Sequence, residues 1–548
     1  MTNTLGRDVP NSADQQSDSE QSDESRRSGM GRRTCLKGLA TIGTGAALAG
    51  LSPGVKAATT AERYEEYFDR FDTVLDMSEA GADTNANECI CPLLKEYAAD
   101  DTLLMFPPGE YLMTEQFRFT GYENFGVVGN DATIVPGTVE EMEGRSATEG
   151  TFNGPTRLFR LGVTYSPGDK LLFEGFDFDF TAKHSGFRAI EAYVEKDMLV
   201  RDIDIVGQHD IGSFGPALFS VTDPDGIATV EGFRAPDGGE HSENTIGTIW
   251  KGPTGVLVPG SHQGKLWFRD CELGSFPDNG LYASSLDGRV VVKGGVYKNS
   301  CASNIRLMAD YSYIQDATVV VDDSIEGRNQ PGIRLDCGKH LWVYNTDVTL
   351  SDPSGHAIVV KNDVESARIQ ESTIAVGEGS SNHAVTVSKD AGEVDLFDSD
   401  IQFEGTGNAI SIKGNNDSSD APVKLLRTNI SGSGPGRHGR SSIRVTRKGV
   451  VILDTVIEMD GTDYRRGVDV LGDNCTIDGG RIEATHHPIV SAADDTTLDD
   501  LTLRSYDGFS GLKLYDGYSG VTVTDSTIYN GITDKGTTDL TTDNLEFL

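Results

Sequence analysis

One short pattern recurs along most of the chain: an apolar residue, any residue, a third position dominated by Asp, Asn, Glu or Gly, two more positions, and a second apolar residue. Its third position falls at Gly175, Asp202, Asp270, Lys293, Asp316, Asn345, Glu371, Asp398, Arg427, Asp454, Gly479, Asp500 and Asp525. Eleven of the twelve intervals between these residues lie between 21 and 29; the exception is the 68 residues from Asp202 to Asp270. A unit of that length is too small to bury its own apolar face, so successive copies have to stack.

A second pattern keeps step with the first. Apolar pairs two residues apart occur at Leu281/Ala283, Ile305/Leu307, Ile333/Leu335, Ile358/Val360, Val385/Val387, Ile410/Ile412, Ile443/Val445, Val468/Val470 and Leu512/Leu514, with Ile489/Ser491 in the same place. That period turns one side of a strand inward and the other outward, so each repeat reads as two or three short strands. Leucine-rich repeats, calcium-binding β-rolls and hexapeptide β-helices carry signatures that this chain lacks, and propeller blades are longer. The predicted fold class is therefore all-β, a parallel β-helix of about 25 residues per coil.

Of the 548 residues, 85 are Asp or Glu and 47 are Lys or Arg, a net charge of -38. This excess repels nucleic-acid phosphate and anionic lipid and keeps a protein dispersed where concentrated salt screens it; nucleic acid is not an expected partner. No apolar run reaches the roughly 18 residues of a membrane-spanning helix, and no transmembrane anchor is expected. Arg32-Arg33 before the weakly apolar Gly38 to Ser52 and the small residues Ala57-Ala58 has the order of a twin-arginine export signal. Residues 1-57 are read as that signal, residues 58-100 as an N-terminal cap segment, and residues 101-548 as the β-helix, with a longer excursion around 206-262. The expected location is secreted or cell-surface associated. Six cysteines follow the signal, Cys89, Cys91, Cys271, Cys301, Cys337 and Cys475, in no zinc-binding spacing; disulfide pairing stays open.

Ahead of the repeats, Asp101 to Tyr111 and Phe125 to Ile134 read as two strands around a Pro107-Pro108-Gly109 turn, preceded by Gly81-Ala82-Asp83 and the helix-like Pro92 to Ala98. With Asp278-Asn279-Gly280-Leu281-Tyr282-Ala283 and Ser303-Asn304-Ile305-Arg306-Leu307, these segments resemble the pectin-lyase-like superfamily, and the whole chain resembles secreted right-handed parallel β-helix proteins of halophilic archaea. The resemblance implies the right hand of the β-helix, a short helical cap and an extracytoplasmic compartment. It implies no single activity, because the superfamily holds lyases, hydrolases, epimerases and non-enzymes.

Candidate chemistry lies in the residues that alternation turns outward. One predicted column reads Tyr282, Arg306, Arg334, Val359, Thr386, Ser411, Arg444, Asp469, Val490, Lys513; two residues on come Ser284, Met308, Asp336, Lys361, Ser388, Lys413 and Thr446. Guanidinium forks bind carboxylates and Tyr faces stack on sugar rings, so a uronate-rich polysaccharide fits this strip. Arg306, Arg334, Asp336 and Lys361 are the candidate catalytic residues, and Tyr282, Asp278, Asn279 and Lys413 the candidate substrate-binding residues. An ion-pair ladder between Arg334 or Lys361 and Asp336 accounts for the same residues without function. A lyase would use Arg306, Arg334 or Lys361 to neutralise a uronate carboxylate or to remove the proton beside it, with calcium held by acidic loops such as Asp223/Asp225.

His356, His383 and His487, in a column with Asn279 and Asn408, are expected to bond the backbone at a turn. Asp177, Asp204, Glu272, Asp347 and Asp400 share another column. Asn345-Thr346-Asp347 matches one motif of polygalacturonases, but the others are missing and Arg437-His438-Gly439 resembles one only superficially. Two functions stay open: a polysaccharide lyase or glycoside hydrolase acting on acidic polysaccharide, and a non-catalytic glycan-binding or cell-envelope protein.

Overall fold

In a computed structural model the chain is a parallel β-helix of about 16 turns with about 27 residues per turn and almost no helix. The structure describes residues 65, 67-139, 141, 146-148, 151-153, 157-211, 215-246, 252-414, 420-436 and 440-548; the predicted signal and Arg437-His438-Gly439 lie outside them. Almost every strand pairs in parallel with its counterparts one turn before and one turn after. Three sheets result. In one mid-helix turn, Asn279–Ala283 belongs to the first, Arg289–Lys293 to the second and Val296–Lys298 to the third.

The predicted spine holds residue by residue. Leu281 pairs with Ile305, Ile305 with Ile333, Ile333 with Ile358, and the series continues through Val385, Ile410, Ile443, Val468 and Ile489 to Leu512. All ten are buried. Each isolated coil leaves this row bare, and stacking removes both edges of it from water at about 25 cal/mol per Å² of apolar surface.

The recurring third position marks the corner between the second and third sheets. Asp202, Asp270, Asp316, Asn345, Glu371, Asp398, Arg427, Asp454, Asp500 and Asp525 all take φ between 45° and 56°. That left-handed region is costly for most L-residues and tolerated best by Gly, Asn and Asp, which is why the position is selective. Lys293 is the one misplaced corner: the left-handed residue is its neighbour, Gly294. A hydroxyl often follows. Thr346, Ser372 and Ser399 are buried, each donates to the carbonyl two residues back, and Ser372 and Ser399 also accept the amide N–H of the preceding turn's hydroxyl residue. This buried ladder satisfies polar groups that the tight corner would otherwise strand.

The 68-residue gap contains a regular turn. Ile227–Ala235 crosses the corner at Gly232, and Val256–Val258 carries the first sheet onward. At the N-terminal end, Cys91–Tyr97 is the predicted cap helix, with Leu94 buried in the same core. The six cysteines are free thiols, so no disulfide joins any pair of them.

Candidate functional site

By direct register the outward row of the first sheet runs Arg160, Glu191, Leu218, Leu257, Tyr282, Arg306, Arg334, Val359, Thr386, Ser411, Arg444, Asp469, Val490, Lys513. The row predicted from alternation is therefore real, and it extends four turns further toward the N-terminus than predicted.

The catalytic candidates converge around Asp336. The strand Ile333–Gly338 loses register between Leu335 and Cys337, a bulge that re-aims the intervening side chain. Arg306 Nε donates to Asp336 Oδ2 at 2.7 Å, and Arg334 grips the same carboxylate through Nε and Nη2, the latter at 3.1 Å. The Arg306 guanidinium also lies 4.4 Å from the centre of the Tyr282 ring. Asp336 is buried, whereas the Arg306 and Arg334 side chains stay 19% and 28% exposed. Both arginines spend their Nε and Nη2 groups on Asp336, and among the described residues Nη1 of neither makes a hydrogen bond.

Lys361 follows on the next turn, half-buried and in no ion pair among the described residues. Burial, then the Arg334 charge, holds its ammonium below the ordinary lysine range. Lys413 is exposed and adds its charge to the same region. Beneath them Thr386 and Ser411 are buried although they belong to the outward row, and Thr386 Oγ1 has no hydrogen-bond partner. Asp278 and Asn279 are less available than predicted. Asp278 accepts from Thr254 Oγ1 at 2.7 Å and from Asn279 Nδ2 at 3.1 Å, and both residues are buried.

The histidines do structural work. His356 and His383 stack with ring centres 4.7 Å apart; His356 Nδ1 accepts the His383 amide and His383 Nδ1 the Asn408 amide, each at 3.0 Å. Burial pushes the first down to about 4 and the second to about 3, so neither carries a proton near neutrality. Asn345 is a corner residue donating to Asp316 at 2.6 Å, and Asp347 stands in the third-sheet column with Asp400. This explains the polygalacturonase-like triplet as turn geometry. Asp223 accepts the backbone N–H of Asp225 within its own turn, and among the described residues no three metal-binding side chains converge. The excursion instead walls a cleft of about 530 Å³ lined by Lys183, His184, Gln208, Asp210, Glu240 and Asn244.

Two further carboxylates lie on the first-sheet row: Glu191, which the sequence reading missed, and Asp469, which it placed in the column without singling it out. Glu191, buried, accepts from Arg157, from Arg160 at 3.0 Å and from Arg188 at 2.7 Å. Asp469, also buried, meets Arg466 at 3.2 Å and Arg444 at 3.4 Å, and burial holds its pKa above the usual aspartate value. Arg188 and Arg466 come from the same strand as the carboxylate they hold, three residues before it, and Arg157, Arg160 and Arg444 from the turn before.

No family model matches the chain, and no curated protein matches it. Among solved structures, it is similar to a surface protein and adhesin of Streptococcus pneumoniae at 11% identity, covering 86% of this chain and 99% of that one, TM-score 0.31. It is also similar to the catalytic unit of a thermostable GH87 α-1,3-glucanase from Streptomyces thermodiastaticus, at 13% identity over 87% of this chain and 68% of that one, TM-score 0.33. A third is the A-module of a mannuronan C-5 epimerase from Azotobacter vinelandii, at 10% identity over 86% and 99%, TM-score 0.20.

Proposed function

We propose that the protein acts on a uronate-rich polysaccharide by β-elimination at the stretch of the first sheet that runs from Tyr282 to Lys413. The observation that carries this reading is Lys361, an amine with lowered proton affinity that forms no ion pair among the described residues, beside two guanidinium groups fixed through Nε and Nη2 on Asp336. Arg306 and Arg334 neutralise the uronate carboxylate, which makes the adjacent C–H acidic and stabilises the enolate that forms. The neutral Lys361 amine takes that proton. The electron pair forms the carbon-carbon double bond and expels the glycosidic oxygen, which is protonated by water. Asp336 is a positioning residue that fixes the two guanidinium groups, and the Tyr282 ring stacks against the sugar or against Arg306. Residues 1-57 direct export by the twin-arginine route, and the acidity suits a concentrated-salt exterior.

The ladder of arginines around Asp336 favours one second reading, a glycan-binding protein without catalysis. The two are separated by incubating the protein with polygalacturonate and alginate in concentrated KCl and following absorbance of unsaturated ends. The lyase reading expects product whose rate rises with pH as Lys361 loses its proton, and at least a hundredfold loss in Lys361→Met. Retention on a polymer with no product from either overturns the lyase and leaves the binder.

A further inference from the structure

The second sheet carries a group of cations that the first does not resemble. Lys265 pairs with Arg289 and Arg269 with Lys293 on consecutive turns, so four positive side chains occupy one outward patch. Among the described residues none of the four makes an ion pair, although the chain has 85 acidic residues to choose from. The Nε atoms of Arg269 and Arg289 are buried without a hydrogen-bond partner. Their ring contacts are close: Lys265 Nζ lies 4.2 Å and Arg269 Cζ 4.8 Å from the Trp267 ring centre, and Arg289 Cζ lies 5.3 Å from that of Tyr313, whereas Glu231, next to Arg269 in the register, forms no ion pair with it. Burial, then Arg289 and Arg269, lowers the proton affinity of Lys265, as expected where like charges crowd.

The row continues onto an open ring. Tyr313 pairs with Trp342, and Trp342 with Arg368. Trp342 is 46% exposed and rims a cleft of about 150 Å³ shared with His340, Ser366, Glu393 and the ion-paired Arg368 and Asp395. From Lys265 to Trp342 the patch crosses four turns, about 14 Å at the spacing of adjacent strands, long enough for more than one sugar ring; beyond it Arg368 is neutralised by Asp395.

We infer that this second-sheet face is a docking site for an anionic polysaccharide, separate from the first-sheet site: Lys265, Arg269, Arg289 and Lys293 take its carboxylates, and Trp342 takes the apolar face of a sugar ring. Unpaired cations in a chain of net charge -38 are complementary to a polyanion. An aromatic ring beside them selects a ligand that also has a flat apolar face. A glycan meets both demands at a lower charge density than nucleic acid, whose closely spaced phosphates the rest of the surface repels.

The assignment does not depend on the lyase reading, and binding is therefore measured in the Lys361→Met background. Polygalacturonate, neutral dextran and single-stranded DNA serve as probes in titrations at two KCl concentrations. Binding of polygalacturonate is expected to be at least tenfold tighter than that of dextran and to weaken with salt. The double variant Lys265→Glu/Arg269→Glu is expected to lose at least tenfold in affinity, and Trp342→Ala about threefold to tenfold. Thermal melting confirms that each variant folds, and Lys293→Glu, at an exposed position, gives an independent reading if the double variant melts early. Affinity unchanged in Lys265→Glu/Arg269→Glu and Lys293→Glu, equal affinity for dextran, or tighter binding of DNA than of polygalacturonate would each overturn the assignment.

Discussion

The outward row of the first sheet and the Lys265 to Lys293 patch of the second both display arginine and lysine, but they treat those charges in opposite ways, while elsewhere on the second sheet Arg201 pairs with Glu174 and Arg368 with Asp395. On the first sheet the arginines gather around buried carboxylates: three on Glu191, two on Asp336, two on Asp469. In the second-sheet patch Lys265, Arg269 and Arg289 face aromatic rings, and among the described residues neither they nor Lys293 form an ion pair, although Glu231 adjoins Arg269 in the register. A carboxylate that has lost its water is costly unless it is fully bonded, so the first arrangement is one the fold requires. Nothing in the fold requires the second. Cations left unneutralised in an acidic protein raise the local positive potential, and that potential is available only to something that binds.

The largest test of this contrast is Glu191→Ala. It strands Arg188, which is itself buried, beside Arg157, and the loss of a buried charge partner costs about 3 to 5 kcal/mol. Denaturant unfolding measures it. Burial alone would raise the Glu191 pKa, but Arg157, Arg188 and Arg160 outweigh burial and hold it down at about 2. A carboxylate depressed in the folded state stabilises above its unfolded pKa, so this contribution is full above about pH 4.5 and disappears as pH falls toward 2. The variant should accordingly show a flatter acid limb than the parent. An unchanged acid limb would mean that the cluster is not the acid-sensitive element.

Next in size is Asp336→Asn, which turns the first-sheet cluster into a copy of the second-sheet one. Its carboxylate is buried while its arginines are partly hydrated, so the expected loss is smaller, about 2 kcal/mol. The same change frees two guanidinium groups. Retention on polygalacturonate should rise even as the melting temperature falls, and the rate of any cleavage should drop because the arginines lose their fixed orientation. Tighter binding with weaker catalysis would mark Asp336 as a positioning residue, an outcome that a purely structural role does not produce.

The architecture was legible in the sequence because stacking forces every turn to repeat the same two demands, an apolar pair on the spine and a left-handed residue at the corner. Ile305, Ile333 and Ile358 could be aligned by eye for that reason. Corners were legible only to within a residue where Lys293-Gly294 offered two choices, and the hydroxyls at Thr346, Ser372 and Ser399 passed unnoticed because their bonding crosses turns. Outward residues answer to no such repeat. Tyr282, Arg306 and Arg334 surfaced because they adjoin the spine, whereas Lys265, Trp267 and Arg289 adjoin the corner-side strand, where no aligned apolar pair pointed to them. Glu191 was harder still, since its arginines sit 34, 31 and 3 residues away.

A third test concerns the corner ladder. Ser372→Ala removes a hydroxyl that donates to Gln370 and accepts from Thr346, leaving one buried N–H without its partner. The expected cost is about 1 to 2 kcal/mol by denaturant unfolding, with polysaccharide binding unchanged because the corner lies on neither cationic face.

The smallest stability effect is expected at Thr386, and it is the most informative about the first sheet. The residue is 2% exposed, and its hydroxyl has no partner. An unpaired buried hydroxyl is a net cost to folding, so Thr386→Val, which keeps the shape and deletes the polar atom, should leave stability within about 0.5 kcal/mol of the parent or raise it slightly. A fold has no reason to keep such an atom. If it serves the substrate, Thr386→Val should lose polysaccharide cleavage or first-sheet binding while the protein melts no earlier. If stability and activity both stay unchanged, the active stretch of the first sheet ends at Lys361, and the unneutralised charge of the second sheet becomes the stronger argument for polysaccharide contact.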